Sequence, residues 1–94
     1  MINTYCILTT LIVGVSMKIY DYNGKKNLCG DKIRTARIKK RLTQNELAAK
    51  LQTSGIMIER DSVSRIEIGT RFVADYELKV LSEILNISPD QLLM

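Results

Sequence analysis

Six cations fall within ten consecutive positions of this chain: Lys32, Arg34, Arg37, Lys39, Lys40 and Arg41. Ammonium and guanidinium groups at that density suit contacts with phosphate. Directly beyond them lie two short segments, TQNELAAKL from Thr43 and RDSVSRIEIG from Arg60, that read as helices in tandem. A helix pair beside a basic run is how a small domain presents one helix to the DNA major groove. Other chemistries find few residues to work with. With no His, and Cys6 and Cys29 alone as thiols, a zinc finger, a nitrogen–sulfur metal cage and a histidine general base are all excluded. No P-loop, dinucleotide fingerprint or nucleophile elbow occurs. Neither an enzyme nor a cofactor or small-molecule site is expected.

The elements that would position these residues are legible in the spacing. Thr43 with Glu46 three residues on forms a capping box, and Leu47, Ala48 and Leu51 recur as one apolar stripe. Val63, Ile66 and also Ile68 repeat the pattern in the second segment, which Gly69 stops in a left-handed conformation. Upstream, a helix over Lys32 to Arg41 is expected, with Asp31 as its cap and Ile33, Ala36 and either Ile38 or Arg37 facing inward. Downstream, Asp75 is the expected cap of a helix over Tyr76 to Leu85, with Leu78, Leu81 and Leu85 inward and Asn86 at its end. Ser88-Pro89-Asp90 then opens a last helical turn that brings Leu92 and Leu93 to the core. Five helices result, an all-α class.

A chain of 94 residues makes one domain with a modest core and leaves no room for a separate sensor domain. Its charge of +4 is mildly basic, so the placement of the cations carries more information than their sum. The two cysteines are expected as thiols in a reducing cytoplasm rather than as a disulfide. Met1 to Met17 carry no charge. Interrupted by Asn3, Thr4, Thr9, Thr10 and Ser16, the stretch is short for a membrane span of about 20 residues and lacks the basic start of a secretory signal. Translation from Met17 would make the first sixteen residues an artefact; if present and folded, their β-branched residues favour a strand or an aggregation-prone tail. Asn23-Gly24 commonly closes a two-residue hairpin, in competition here with an extended arm. Such an arm would bring Lys25 and Lys26 along the DNA backbone, or serve only as a solvated linker. The expected division is an amino-terminal segment and arm over 1–29 and a DNA-binding domain over 30–94.

Taken together, Ile33-Arg34 and Arg37, LTQNELA at 42–48, VSRIEIG at 63–69 and LSEILNIS before the final turn resemble the Cro/repressor-type, lambda-repressor-like helix-turn-helix family over about two thirds of the chain. The resemblance implies a compact five-helix domain, usually dimeric on double-stranded DNA, whose third helix is the reader. It places Arg60, Asp61, Ser64 and Arg65 at base edges, where arginine matches guanine and Asp61 accepts from cytosine or orients an arginine. It assigns Gln44 and Asn45, at the amino end of the second helix, and Thr70 and Arg71, past the third, to the DNA backbone. Arg37 and Glu67 match a buried ion pair between the first and third helices.

One departure stands out. A helix-turn-helix turn spans three or four residues, whereas Gln52 to Glu59 reads as about twice that. Gly55 permits a bend, Ile56 and Ile58 point back to the core, and Glu59 is a poor cap that Asp61 would replace. The expected function is a sequence-specific transcriptional regulator, a cytoplasmic homodimeric repressor. Leu92, Leu93 and Met94 either form the dimer surface or close the core. The alternatives are a protein-interaction module of antitoxin or adaptor type and a regulator tethered by the amino-terminal segment.

Overall fold

The computed structural model describes residues 22–94; the expectations for Met1 to Met17, and for Cys6, lie outside them. Five helices follow in order: α1 (Gly30–Lys39), α2 (Gln44–Thr53), α3 (Arg60–Ile68), α4 (Asp75–Leu85) and α5 (Pro89–Leu92). Among the described residues there is no strand, only an isolated antiparallel bridge between Tyr22 and Lys25. The expected all-α, five-helix class is the observed one among the described residues. α3 packs on α1 and α2, α4 touches the same two helices, and α5 closes against α1 and α4.

One apolar core unites these contacts: Ile33 from α1, Leu47, Ala48 and Leu51 from α2, Val63 and Ile66 from α3, Leu81 and Leu85 from α4, and Leu92 from α5. In α2, α3 and α4 these residues recur at three or four positions, the spacing that keeps side chains on one helix face. Short amphipathic helices of this kind are stable only through such mutual burial. Cys29 and Ile58, from the connections, complete the core, and Cys29 is a buried free thiol whose pKa burial pushes up.

The helix ends show where local patterns succeed. Around α2 both halves of the capping box form: Thr43 Oγ1 accepts from the Glu46 amide at 3.0 Å, and Glu46 Oε1 accepts from the Thr43 amide at 2.8 Å. Gly69 ends α3 at φ 97°, Asn86 ends α4 at φ 54°, and Ser88 Oγ accepts from the Gln91 amide over α5. The Asn23-Gly24 turn is also present, both residues at positive φ as a type I′ turn demands, with the Lys25 amide donating to Tyr22 O at 3.0 Å.

Four expectations are corrected. Asp31 does not cap α1; the helix begins two residues earlier than expected, at Gly30, and Asn27 Oδ1 accepts the Gly30 amide at 2.9 Å. α1 also ends at Lys39, because Arg41 turns left-handed at φ 59° and the Leu42 amide bonds back to Arg37 O. Asp75 does not cap α4 either: it is the first helical residue, and Ala74 stands at the cap position with no side-chain oxygen to offer. Glu77 instead accepts from the Ala74 amide at 3.0 Å, half of a capping box. Finally, Ile38, Ile68 and Leu93 are largely exposed, so Arg37 takes the inward position in α1 and Leu92 alone of its pair closes the core.

Residues 22–29 pack onto the helical unit. Asn27 Nδ2 donates to Ile66 O at 3.1 Å and Arg71 O at 2.8 Å, and the Lys26 amide donates to Gly69 O at 2.8 Å. This brings the start of α1 against the end of α3 so closely that a Cβ on Gly30 would sit 2.2 Å from Ile66 O. Backbone cannot give way as a flexible side chain can. Gly30→Ala is therefore expected to lower unfolding free energy by about 1–3 kcal/mol, read as a reduced urea midpoint at unchanged slope.

Candidate nucleic-acid interface

At the junction of the first three helices lies one carboxylate, Glu67, buried although charged. Arg37 on α1 meets it with two parallel donors, Nε to Oε2 at 2.6 Å and Nη2 to Oε1 at 3.1 Å. The remaining face of the guanidinium is used as well, Nη1 donating to Leu42 O at 2.7 Å. Gln44, the first residue of α2, adds Nε2 to Glu67 Oε1 at 3.0 Å. A buried pair is tolerable when further hydrogen bonds support it, and here Leu42 O supports the guanidinium and Gln44 the carboxylate.

From Gln44 the network runs outward to the expected reading residues. Its Oε1 accepts from Arg60 Nη1 at 3.3 Å, and Arg60 Nη2 donates to Asp61 Oδ1 at 3.2 Å. Arg60, Asp61 and Arg65 are exposed and Ser64 half-buried, and their positions in α3 span one outward strip of the helix. Among the described residues the Arg65 guanidinium has no hydrogen-bond or ion-pair partner. Glu59 precedes α3 with extended backbone and no capping side chain; Asp61, the alternative cap, lies within the first turn. Ile68, exposed at the end of the same strip, was expected in the core and adds an apolar edge to the face.

The residues expected at the DNA backbone divide. Asn45 and Thr70 are exposed, Thr70 Oγ1 resting 3.5 Å from Arg65 O. Gln44 is engaged by Glu67 and Arg60. Arg71 is engaged more fully: Nη1 and Nη2 donate to the two carboxylate oxygens of Glu77 at 2.9 and 3.0 Å, and Nη1 also to Phe72 O at 2.9 Å. Its guanidinium fastens the loop after α3 to α4. The sequence reading passed over Glu77, whose signal was its place three residues after the cap of α4, and Asn27, which no local pattern marks.

The basic run does not act as a unit. Arg37 is buried against Glu67, and Lys32 Nζ donates to Met94 O. Arg34, Lys39, Lys40 and Arg41 are exposed, but Arg34 and Lys39 lie on different sides of α1. Among the described residues no group of acidic, His and Cys side chains is placed to hold a metal ion, and no helix is long and apolar enough to cross a membrane.

This geometry, two short helices with the second locked to the first by Gln44–Glu67 and its outer strip exposed, is that of a helix-turn-helix. Residues 33–92 match the model of a helix-turn-helix family, HTH_3, and the chain belongs to that family of Cro/repressor-type DNA-binding domains. No curated protein and no solved structure matches the chain.

Two ion pairs give two measurable consequences. Glu67→Ala leaves Arg37 charged and buried without its partner, a loss of about 3–5 kcal/mol, to be read by urea unfolding; a variant as stable as the parent would contradict the geometry. The Arg71 guanidinium, hydrogen-bonded to Glu77, holds that carboxyl below the usual range, with the Ala74 amide assisting and burial opposing. A depressed folded-state pKa contributes stability that is complete above the unfolded value of about 4.3 and disappears as pH falls through the folded value. Unfolding midpoints measured down through that window are expected to fall, and Glu77→Gln to flatten that part of the decline.

Proposed function

We infer that this DNA-binding helix-turn-helix protein is a sequence-specific regulator of transcription, a repressor that occludes a promoter by laying α3 in the major groove. The observation that carries the reading is the outward strip of α3. The helix is held from behind through Glu67, while Arg65 keeps its two parallel donors unengaged among the described residues. Held arginine donors match the O6 and N7 acceptors of guanine. Arg60 starts from a weaker commitment, exposed contacts to Gln44 and Asp61, and Asp61 in turn orients it. Ser64 lies between them on the strip.

Phosphate contacts in this reading come from the start of α2. The capping box occupies the Glu46 amide, so the amides of Gln44 and Asn45 remain at the positive end of the helix for an anion. Thr70 adds a hydroxyl past α3. Arg71 is better read as a structural residue, since Glu77 takes both of its terminal nitrogens. A homodimer would place two reading helices about 34 Å apart on successive grooves. Exposed Leu93 and Met94 at the carboxyl end favour that surface, whereas buried Leu92 belongs to the core.

Selection of bound duplexes from a random pool tests the reading directly: a recurring site, symmetric with half-sites one helical turn apart, is expected, and recovery of no preferred sequence would refute it. On the selected site, Arg65→Ala is expected to cost about 1–3 kcal/mol and to relax preference at one base pair. Arg71→Ala, by contrast, is expected to lower the unfolding midpoint and leave the base preference of the folded protein unchanged.

A further inference from the structure

Residues 22–29 precede the family-matched stretch 33–92, yet they are fastened to the far end of the reading helix. The Asn23-Gly24 turn sends the chain back so that the Lys26 amide bonds Gly69 O and Asn27 bonds Ile66 O and Arg71 O. As a result the stem of Lys25 lies against Gly69; a Cβ on that glycine would be 2.8 Å from Lys25 Cδ. Gly69 directly follows Ile68, the exposed end of the outward strip. The ammonium of Lys25 is 4.0 Å from the carboxylate of Asp31, both substantially exposed, a pairing weak enough to yield to another anion.

Resting on the DNA-binding reading above, we propose that the hairpin is a second point of DNA contact, in which Lys25 meets a phosphate on the wall of the groove that α3 occupies. The major groove is about 12 Å wide, so a lysine stem lying beside a helix within it reaches toward the phosphates that flank it. Lysine is a compact, rotatable charge rather than a planar fork, suited to neutralising a phosphate and poorly suited to reading a base. One main-chain bond and two from the Asn27 side chain already hold the hairpin against the end of α3, so little ordering is required when DNA binds. The hairpin therefore adds affinity without adding sequence preference.

The test uses the full chain, the duplex selected from the random pool and a scrambled duplex of equal length, titrated over a range of salt concentrations. Lys25→Gln is expected to weaken both duplexes by the same factor and to lower the slope of log K against log salt by about 0.9 per bound protomer, with an unchanged melting temperature. Gly24→Val, which puts a branched side chain at φ 79°, opens the turn and is expected to lower the slope likewise. Wild-type affinity and slope in Lys25→Gln would overturn the contact. A loss confined to the selected duplex would overturn it too, by assigning Lys25 to a base. A parent protein that binds neither duplex would instead overturn the DNA-binding reading on which the proposal stands.

Discussion

Glu67 is a charge in the wrong solvent, and the arrangement of the first three helices follows from what satisfies it. A carboxylate taken out of water costs several kcal/mol unless its oxygens are well bonded. Here the compensating donors come from α1 through Arg37 and from α2 through Gln44. Hydrophobic contact alone would let short helices slide; three directed bonds to one group define where α3 stands relative to both neighbours. Because Arg37 also donates to Leu42 O, the turn between α1 and α2 is held by the same centre.

That constraint acts mid-core, and a second holds the end of α3. Past Gly69, Arg71 and Glu77 tie the loop to α4, while Asn27 bonds carbonyls on both sides of the turn, at Ile66 and Arg71. α3 is thus gripped in its last turn, at Glu67, and just past its carboxyl end, which leaves the strip on its amino-terminal half exposed. The division suits recognition, since side chains that read bases must project from a backbone that does not move when they bind.

Much of this was legible in the residues, for reasons that differ by element. The Thr43–Glu46 box, the Asn23-Gly24 turn and the apolar stripes are contracts within a few residues, so local spacing reveals them. The Arg37–Glu67 pair joins residues thirty apart and was reachable only through family resemblance. Asp31 and Asp75 misled because each looked like a cap, whereas the acceptors that matter are Asn27, tied to α3 across the fold, and Glu77, committed also to Arg71. Ile68 and Leu93 misled because periodicity marks apolar residues and not which of two neighbours the core has space for. Arg71, which the pattern offered to DNA, has a partner that the pattern did not mark, Glu77 six residues on.

The lengthened connection between α2 and α3 shows how an irregularity is absorbed. α2 runs on to Thr53, two residues beyond Leu51, so the connection proper is 54–59. Its start is bonded back by the Ile56 amide to Leu51 O, and its end by Gln52 Nε2 to Ile58 O at 2.9 Å. Ile58 is buried, and the surplus is taken up by the outward excursion of Met57, 81% exposed between Ile56 and Ile58. The anchors of α3, Val63, Ile66 and Glu67, all lie beyond the insertion and are buried against the same side as the apolar stripe of α2. Extra length therefore changes the approach to α3 and leaves its seat to Glu67. The cost falls at the amino end, where Glu59 offers no side-chain cap and the first amides of α3 are left for solvent or for an anion such as a DNA phosphate.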